Sequence, residues 1–446
     1  MVCGFFLLPV SSLHMQPFKK LILKNGLRVI LVPEPQSLAT TVMVAVEAGS
    51  KYETKEVNGI SHFLEHMCFK GTTKRPRHID IANELDGLGA EYNAFTSQES
   101  TSYYAKVRNE SFERALDIVA DLYLHPVFDA REIEKERGVI IGEINMYEDL
   151  PQRKVAELFM GLVYGDQPAG WSIAGPKEVI RRVGREDFLK YRGAHYLAPA
   201  TAVVAAGGFS AGGGSAFGGD EKKVTSLIEK HFGGLSTGAK GQKLKVVETQ
   251  EKPRELVRFK EVDQTHLVMG FRAFDIFDER RYPLQLLTDI LGGGMGSRLF
   301  QVVREELGAA YYVHASADLY SDHGLVVMDA GVHHEKLPEV ITASLKEFAR
   351  FKDEAVSPTD LQRAKDHVTG NLFLSLETSD ALAAFYAGEE IMRMPLQDPR
   401  TLAAKLQAVT AEDIRAVARV LFTNDRLNLA LIGPFKDRSF LDIVKV

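Results

Sequence analysis

The sequence predicts an α+β protein of two homologous halves, each an antiparallel-rich sheet covered by helices on one side. Three observations carry this. Alternating, β-branched segments such as 40–48 and 265–274 are interleaved with amphipathic helical segments. A first-half pattern returns in the second half at an offset of 228 residues. DAREIEKERGVIIGEIN, beginning at Asp129, finds an echo in SPTDLQRAKDHVTGNLF, beginning at Ser357, with Gly142 against Gly370 and Glu143 against Asn371. Finally, 446 residues exceed what one hydrophobic core normally serves.

Residues 1–17 read as a tail. They lack the basic region and small-residue cleavage site of a signal peptide and the arginines of a mitochondrial presequence, and Met15 is a candidate start. The first half, 18–234, opens with two short strands in 18–32 around the turn Lys24-Asn25-Gly26. A strand follows at 40–48, then a helix after the turn at Asn58-Gly59, and a second helix at 79–88. The long alternation over 90–107 reads as one or two strands. Residues 111–124 are helical, with Ser111 as N-cap and Glu113 in the first turn. Residues 129–149 form a long helix capped by Asp129. A helix and a loop carrying the only tryptophan, Trp171, cover 157–175. A basic amphipathic helix with a solvated face covers 177–192, an apolar strand 198–206 and a helix 222–232. GGFSAGGGSAFGGD, 207–220, reads as a flexible loop, and no lysine and serine or threonine follow in phosphate-loop register.

Residues 235–255 read as a linker to the second half, 256–446. There a strand at 265–274, a helix at 284–291 in the place of the first half's 60–69 helix, a strand-rich stretch at 309–332 and helices at 336–351 and 358–376 repeat the earlier order. With 45% apolar and 26% charged residues the chain is an ordinary globular one. A net charge of −6 argues against a nucleic-acid partner, and no apolar run reaches the length of a membrane span. The two cysteines, Cys3 and Cys68, are not expected to pair, which fits a reducing compartment.

The chemistry concentrates in SHFLEHMCFKG, 61–71. His62 and His66, four apart, share one helix face and can grip one Zn2+. Glu65 lies at the rim of that face, placed to serve a metal-bound water as general base without being a ligand. This H-x-x-E-H order defines the inverted zincins. Ile60, Phe63, Leu64, Met67 and Phe69 predict burial of the helix, and buried histidines and a glutamate need a partner that a metal provides. A third protein ligand is then required, and Glu143, set among Val139, Ile140, Ile141 and Ile144, is the candidate. Glu136, seven residues earlier on about the same face, is a candidate to orient a ligand from behind. The second half has neither the motif nor a ligand glutamate, so it is expected to be metal-free and to shape a cavity or hold substrate.

HFLEHMCFKGT (62–72), YNAFTSQESTSYY (92–104) and ERGVIIGE (136–143) together resemble the M16 metallopeptidases, the family of insulin-degrading enzyme, pitrilysin and the mitochondrial processing peptidase. The resemblance runs from Leu21 to the C-terminus and is nearest the short subfamily of processing-peptidase subunits and bacterial M16B-type peptidases. It implies a LuxS/metallopeptidase-like duplicated fold and a zinc endopeptidase with one Zn2+ per chain. By this resemblance His62, His66 and Glu143 are ligands, Glu65 the general base and Glu136 a helper acid. Asn93 and Ala94 lie on an edge strand to which an extended substrate adds as a further strand. Arg304 and Tyr311 in VVREELGAAYYV match a substrate-contacting pair, and LGGGMGSRLF, 291–300, is similar to a glycine-rich family segment.

Two such chains are implied to face each other around a chamber that admits short unfolded peptides. One chain supplies zinc and the other Arg304 and Tyr311. A homodimer is expected, the alternative being a heterodimer with an inactive sister. A bacterial-type cytoplasmic location is expected, the mitochondrial matrix being the alternative. Two alternatives stand beside the general endopeptidase, a specific processing peptidase for leader peptides or presequences and a non-catalytic docking subunit. Cys68, where the family commonly has a small residue, is expected to sensitise the site to oxidation or heavy metals.

Overall fold

The computed structural model describes residues 18–209 and 221–446. The tail at 1–17, with Cys3, and most of the glycine-rich loop lie outside them. Among the described residues, six strands form the first sheet: β1 (Lys19–Ile22), β2 (Arg28–Pro33), β3 (Ala39–Val46), β4 (Glu91–Thr96), β5 (Thr101–Arg108) and β6 (Thr201–Gly207). Five form the second: β7 (Arg254–Phe259), β8 (Thr265–Ala273), β9 (Ala310–Leu319), β10 (Gly324–Val332) and β11 (Leu427–Gly433). The spatial orders are β1-β2-β6-β3-β5-β4 and β7-β11-β8-β10-β9. From β2 onward the two orders are the same, strand for strand. Each sheet is antiparallel except for one parallel pair, β2 with β6 and β11 with β7. Gene-level repetition has therefore been kept at the level of topology, as the 228-residue echo implies.

The helices repeat as well. Between β3 and β4 lie α1 (Ile60–Cys68) and α2 (His78–Gly87). Between β5 and β6 lie α3 (Phe112–Leu124), α4 (Ala130–Asp149), α5 (Pro151–Tyr164), α6 (Lys177–Ile180) and α7 (Arg185–His195), and α8 (Glu221–Phe232) follows β6. In the second half α9 (Arg281–Gly292) stands between β8 and β9. Between β10 and β11 are α10 (Leu337–Asp353), α11 (Pro358–Ser375), α12 (Ser379–Ile391), α13 (Pro399–Ala408) and α14 (Ala411–Leu421). No helix among the described residues is long and apolar enough to cross a membrane.

Several expected boundaries move for local reasons. The alternation at 90–107 is a hairpin broken at 97–100, where Ser97 Oγ accepts from the Glu99 and Ser100 amides. The helix expected from 157 begins at Pro151, because proline suits the first helical turn and forces Leu150 out of the helical region (φ −99°, ψ 94°). The helix expected at 177–192 is two helices, split before an extended Gly184 whose amide donates to Asp187 Oδ2 at 2.9 Å. Ser111 precedes α3 without a side-chain cap, whereas Asp129 Oδ1 accepts from the Arg131 and Glu132 amides at 2.9 and 3.2 Å.

The larger departure concerns cover. Each sheet is covered on both faces, not one. One face packs on its own half's helices, as Val42, Val44, Tyr103 and Ala105 do against Phe63, Leu116 and Val119. The other face is covered by a helix from the opposite half. On the first sheet, Ile30, Val32, Met43, Ala45, Val204 and Ala206 pack against Leu382, Ala383, Tyr386 and Ile391 of α12. On the second, Val268, Leu325, Val327, Ala430 and Ile432 pack against Val155, Phe159 and Val163 of α5. Ion pairs buried between the halves reinforce the exchange. Arg28 meets Glu390 at 3.3 Å, and Lys51, paired with Glu99 at 3.1 Å, also reaches Asp322.

Candidate metal centre

Helix α1 is set by its N-terminus. Gly59 has φ 97°, and a Cβ there would stand 2.6 Å from the Ala174 carbonyl oxygen, so the position needs glycine. Glu53, fully buried, closes the first turn: its carboxylate accepts from the Gly59 and Ser61 amides at 2.7 and 2.8 Å and from the Asn58 amide group at 2.8 Å. Burial pushes the Glu53 carboxyl up to about 7, even though these bonds pull it down. One face of α1 then enters the core through Ile60, Phe63, Leu64, Met67 and Cys68, and the other presents His62, Glu65 and His66, all half-buried.

Helix α4 packs across α1 and brings Glu143 to the two histidines. His62 Nε2 and His66 Nε2 are 3.2 Å apart, and Glu143 Oε2 stands 3.6 and 3.7 Å from them. Ligands bound at roughly 2.0–2.1 Å in a tetrahedron lie about 3.3 Å apart, so the triangle fits a single zinc ion. Three lone-pair donors converging this closely repel one another unless a cation joins them. Among the described residues it is the one cluster that can hold a metal.

The groups behind the triangle select its protonation. Burial alone would raise the Glu136 carboxyl, but its bonds to His66 and Lys70 outweigh this and hold it below the ordinary carboxylate range. It is therefore an acceptor, and His66 Nδ1 donates to Glu136 Oε1 at 2.8 Å, which leaves the Nε2 lone pair facing the cluster. Lys70 Nζ, one turn past His66, holds the other Glu136 oxygen at 2.5 Å. His62 Nδ1 is buried with no hydrogen-bond partner among the described residues. Glu65 stands outside the triangle and accepts from Thr96 Oγ1 at 2.6 Å; burial raises its carboxyl. Tyr147, whose hydroxyl burial pushes up to about 12, donates to Glu143 Oε1.

These placements predict a pH dependence. Burial, and then the neighbouring His66 charge, push His62 down to about 4. Burial also pulls His66 down, but Glu136, Glu65 and Glu143 outweigh it, so His66 holds its proton above the ordinary 6.5. Zinc needs both imidazoles neutral. Apparent zinc affinity is expected to fall roughly tenfold per pH unit as the pH drops through the raised His66 value, and more steeply below about 4, where His62 also protonates. Competition with a chromophoric chelator between pH 8 and 5 measures this. An affinity unchanged over that range would contradict the assignment.

The remaining expected site residues lie as follows. Asn93 and Ala94 are on β4, the outermost strand of the first sheet, and the Ala94 amide is taken by Asn93 Oδ1 at 2.9 Å. The end of β4 carries Thr96, so this strand is tied to Glu65. Arg304 is exposed on a π-helical turn, Phe300–Glu306, its guanidinium carbon 4.8 Å from the Phe300 ring centroid. Tyr311 is 72% exposed on β9. The structure brings neither into hydrogen-bond or ion-pair contact with the triangle. Cys68 is fully buried, donates to Tyr103 OH at 3.5 Å, and is pushed by burial up to about 12. Its thiol is thus inert, contrary to the sensitivity expected from its place beside the motif.

At the corresponding place in the second half, Asn371 of α11 donates to His367 Nε2 at 3.1 Å, and His367 Nδ1 meets Asp289 of α9 at 2.7 Å. A hydrogen-bonded trio replaces the ligands. The groups that sequence reasoning missed are Glu53, Lys70, Thr96 and Tyr147. Lys70 and Tyr147 each lie four residues beyond a ligand on a helix or its end, which was a usable signal. Thr96 and Glu53 reach the site only through the tertiary fold.

The pattern of "Insulinase (Peptidase family M16)" matches residues 28–177, and that of "Peptidase M16 inactive domain" matches 182–368. The "Uncharacterized zinc protease YmxG" of Bacillus subtilis is 35% identical over 93% of this chain and 98% of its own. An "Uncharacterized zinc protease" of Rickettsia felis is also 35% identical, over 94% and 98%. Among solved structures, a protease from Helicobacter pylori superposes with a TM-score of 0.85 at 21% identity, over 94% of this chain and 100% of that one. A chain of complex III2 from Candida albicans superposes at 0.81 and 17% identity, over 95% and 98%. The duplicated sheets, the single inverted-zincin helix and these matches agree, and the chain belongs to peptidase family M16.

Proposed function

We propose that this protein is a zinc-dependent endopeptidase that hydrolyses short, unfolded peptides inside a chamber formed by two copies of the chain. The observation that carries this reading is the separation of roles on α1, with two imidazoles in the triangle and Glu65 beside it, hydrogen-bonded but not a ligand. A zinc ion held by His62, His66 and Glu143 supplies Lewis-acid polarisation of the scissile carbonyl and acidifies a water. Glu65 takes the proton of the attacking water and delivers it to the leaving amine as the C–N bond breaks. Thr96 keeps the carboxylate aimed, and Glu136 with Lys70 holds His66 in its ligating tautomer. An extended peptide adds to the free edge of β4, displacing the Asn93 side chain from the Ala94 amide. Backbone pairing gives affinity that tolerates many sequences. In this reading two copies form a homodimer in which Arg304 and Tyr311, exposed in the second half, serve the partner's centre.

A docking role is the poorer reading. The fold alone does not discriminate, since it is shared both with a protease from Helicobacter pylori and with a chain of a large complex. The intact triangle does, because a subunit with no reaction to perform has no need to keep three converging ligands and a separate base. The test is cleavage of mixed unstructured peptides of about 10–30 residues, long enough at ~3.3 Å per residue to pair along all six residues of β4 and run past it, with and without a zinc chelator. Cuts are read by mass spectrometry. Chelator-sensitive cleavage at many positions is expected. A single favoured site would instead assign the protein to the processing of leader peptides or presequences. No cleavage by zinc-loaded protein would overturn the reading.

A further inference from the structure

The three ligands are supported unequally. His66 has Glu136 and Lys70 behind it, whereas His62 Nδ1 has no partner among the described residues. Glu143 has a device of its own. Its Oε2 faces both histidines, and its Oε1 accepts the hydroxyl of Tyr147, one turn further along α4. The Tyr147 ring in turn lies beneath Arg153, whose guanidinium carbon is 3.9 Å from the ring centroid. Arg153 stands in the first turn of α5, just past the break at Leu150 and Pro151. Tyr147 also lines two cavities, of 460 and 550 Å³, and Arg153 lines the larger with it.

We propose that Tyr147, clamped by Arg153, is the positioning residue for Glu143, fixing which carboxylate oxygen faces the metal. This rests on the reading of the triangle as a zinc centre. A free carboxylate has two equivalent oxygens and rotates readily about its last torsion. Both can then approach one ion, and the second oxygen takes the open position that a hydrolytic centre must keep for water. With Oε1 held by the hydroxyl, only Oε2 is offered. Support of this kind behind a ligand is typically worth 10–100-fold in metal affinity. Nothing in the H-x-x-E-H motif requires a tyrosine here, so the role belongs to the α4–α5 junction of this chain.

The test is Tyr147→Phe, which keeps the ring and its contact with Arg153 and removes only the hydroxyl. Zinc affinity by chelator competition is expected to fall roughly 10–100-fold. The cobalt-substituted variant is expected to show weaker visible absorption than the wild type as the carboxylate becomes bidentate and the coordination number rises. Arg153→Gln, which keeps the hydroxyl but frees the ring, is expected to lose less affinity, and it carries the test if the phenylalanine variant fails to fold. Should the wild-type chain bind no zinc, both the metal centre and this role are overturned. Should the wild type bind zinc while Tyr147→Phe matches it in affinity and cobalt spectrum, only the Tyr147 role is overturned.

Discussion

Glu65→Gln is expected to retain zinc and lose roughly 10²–10⁴ of peptide turnover, the range that a positioned general base supplies. The substitution is nearly isosteric. The glutamine oxygen still accepts from Thr96 Oγ1, so the side chain keeps its place on the half-buried face of α1. The triangle is untouched, because Glu65 contributes none of its three ligand atoms. What disappears is the ability to take a proton. At 1.36 kcal/mol per tenfold, the expected loss is about 3–5 kcal/mol of barrier lowering. Metal content and peptide turnover measured on the same preparation decide the matter. A metal-loaded variant with undiminished turnover would remove Glu65 from the mechanism, and a variant that loses zinc would mean it acts as a ligand.

How much of this site the sequence disclosed follows from the range of each interaction. His62 and His66 declare themselves because a spacing of four on a helix is local, and Glu143 because a carboxylate amid Val139, Ile140, Ile141 and Ile144 is conspicuous. Glu53 is different. It lies six residues before Gly59, and only the turn through Asn58 carries its carboxylate back to the start of α1. Thr96 reaches Glu65 because β4 pairs with β5 and lies beside α1, which no spacing encodes. The fold divides in the same way. Duplication implies a second sheet like the first, but β7 and β11 escaped notice: RELVRF in β7, five residues half-buried and Phe259 exposed, carries no strong alternation and borders a polar linker, and LNLALIG in β11 is a short apolar run that periodicity alone does not tell from a buried helix segment. The two-sided cover left one readable trace. TAVVAAG in β6 is apolar without alternation, as strands buried on both faces are, yet it cannot say which helix lies on the second face.

That second face leads to the other large expected effect. Phe159→Ala is expected to destabilise the whole chain by about 3–5 kcal/mol, a large part of the 5–15 kcal/mol typical of a folded protein. Phe159 is 1% exposed on α5, and its ring belongs to the core formed with Val268, Leu325 and Val327 of the second sheet. The 228-residue offset carries Val155, Phe159 and Val163 onto Ala383, Ala387 and Ile391, which lie in the reciprocal core on the first sheet. Each half therefore completes the other, and neither can close its own sheet. Residues 256–446 alone would leave Val268, Leu325, Val327, Ala430 and Ile432 uncovered. Calorimetry of the full chain is accordingly expected to show one cooperative transition, and Phe159→Ala to lower it as a unit, with faster amide exchange in β3 and β6 as well as in β8 and β11. The smaller Ala387 in the reciprocal core leaves less to lose, so truncating Tyr386 is the matching experiment on that side. Two transitions, of which Phe159→Ala shifted only one, would show that the halves fold independently and that the exchanged helices dock after folding.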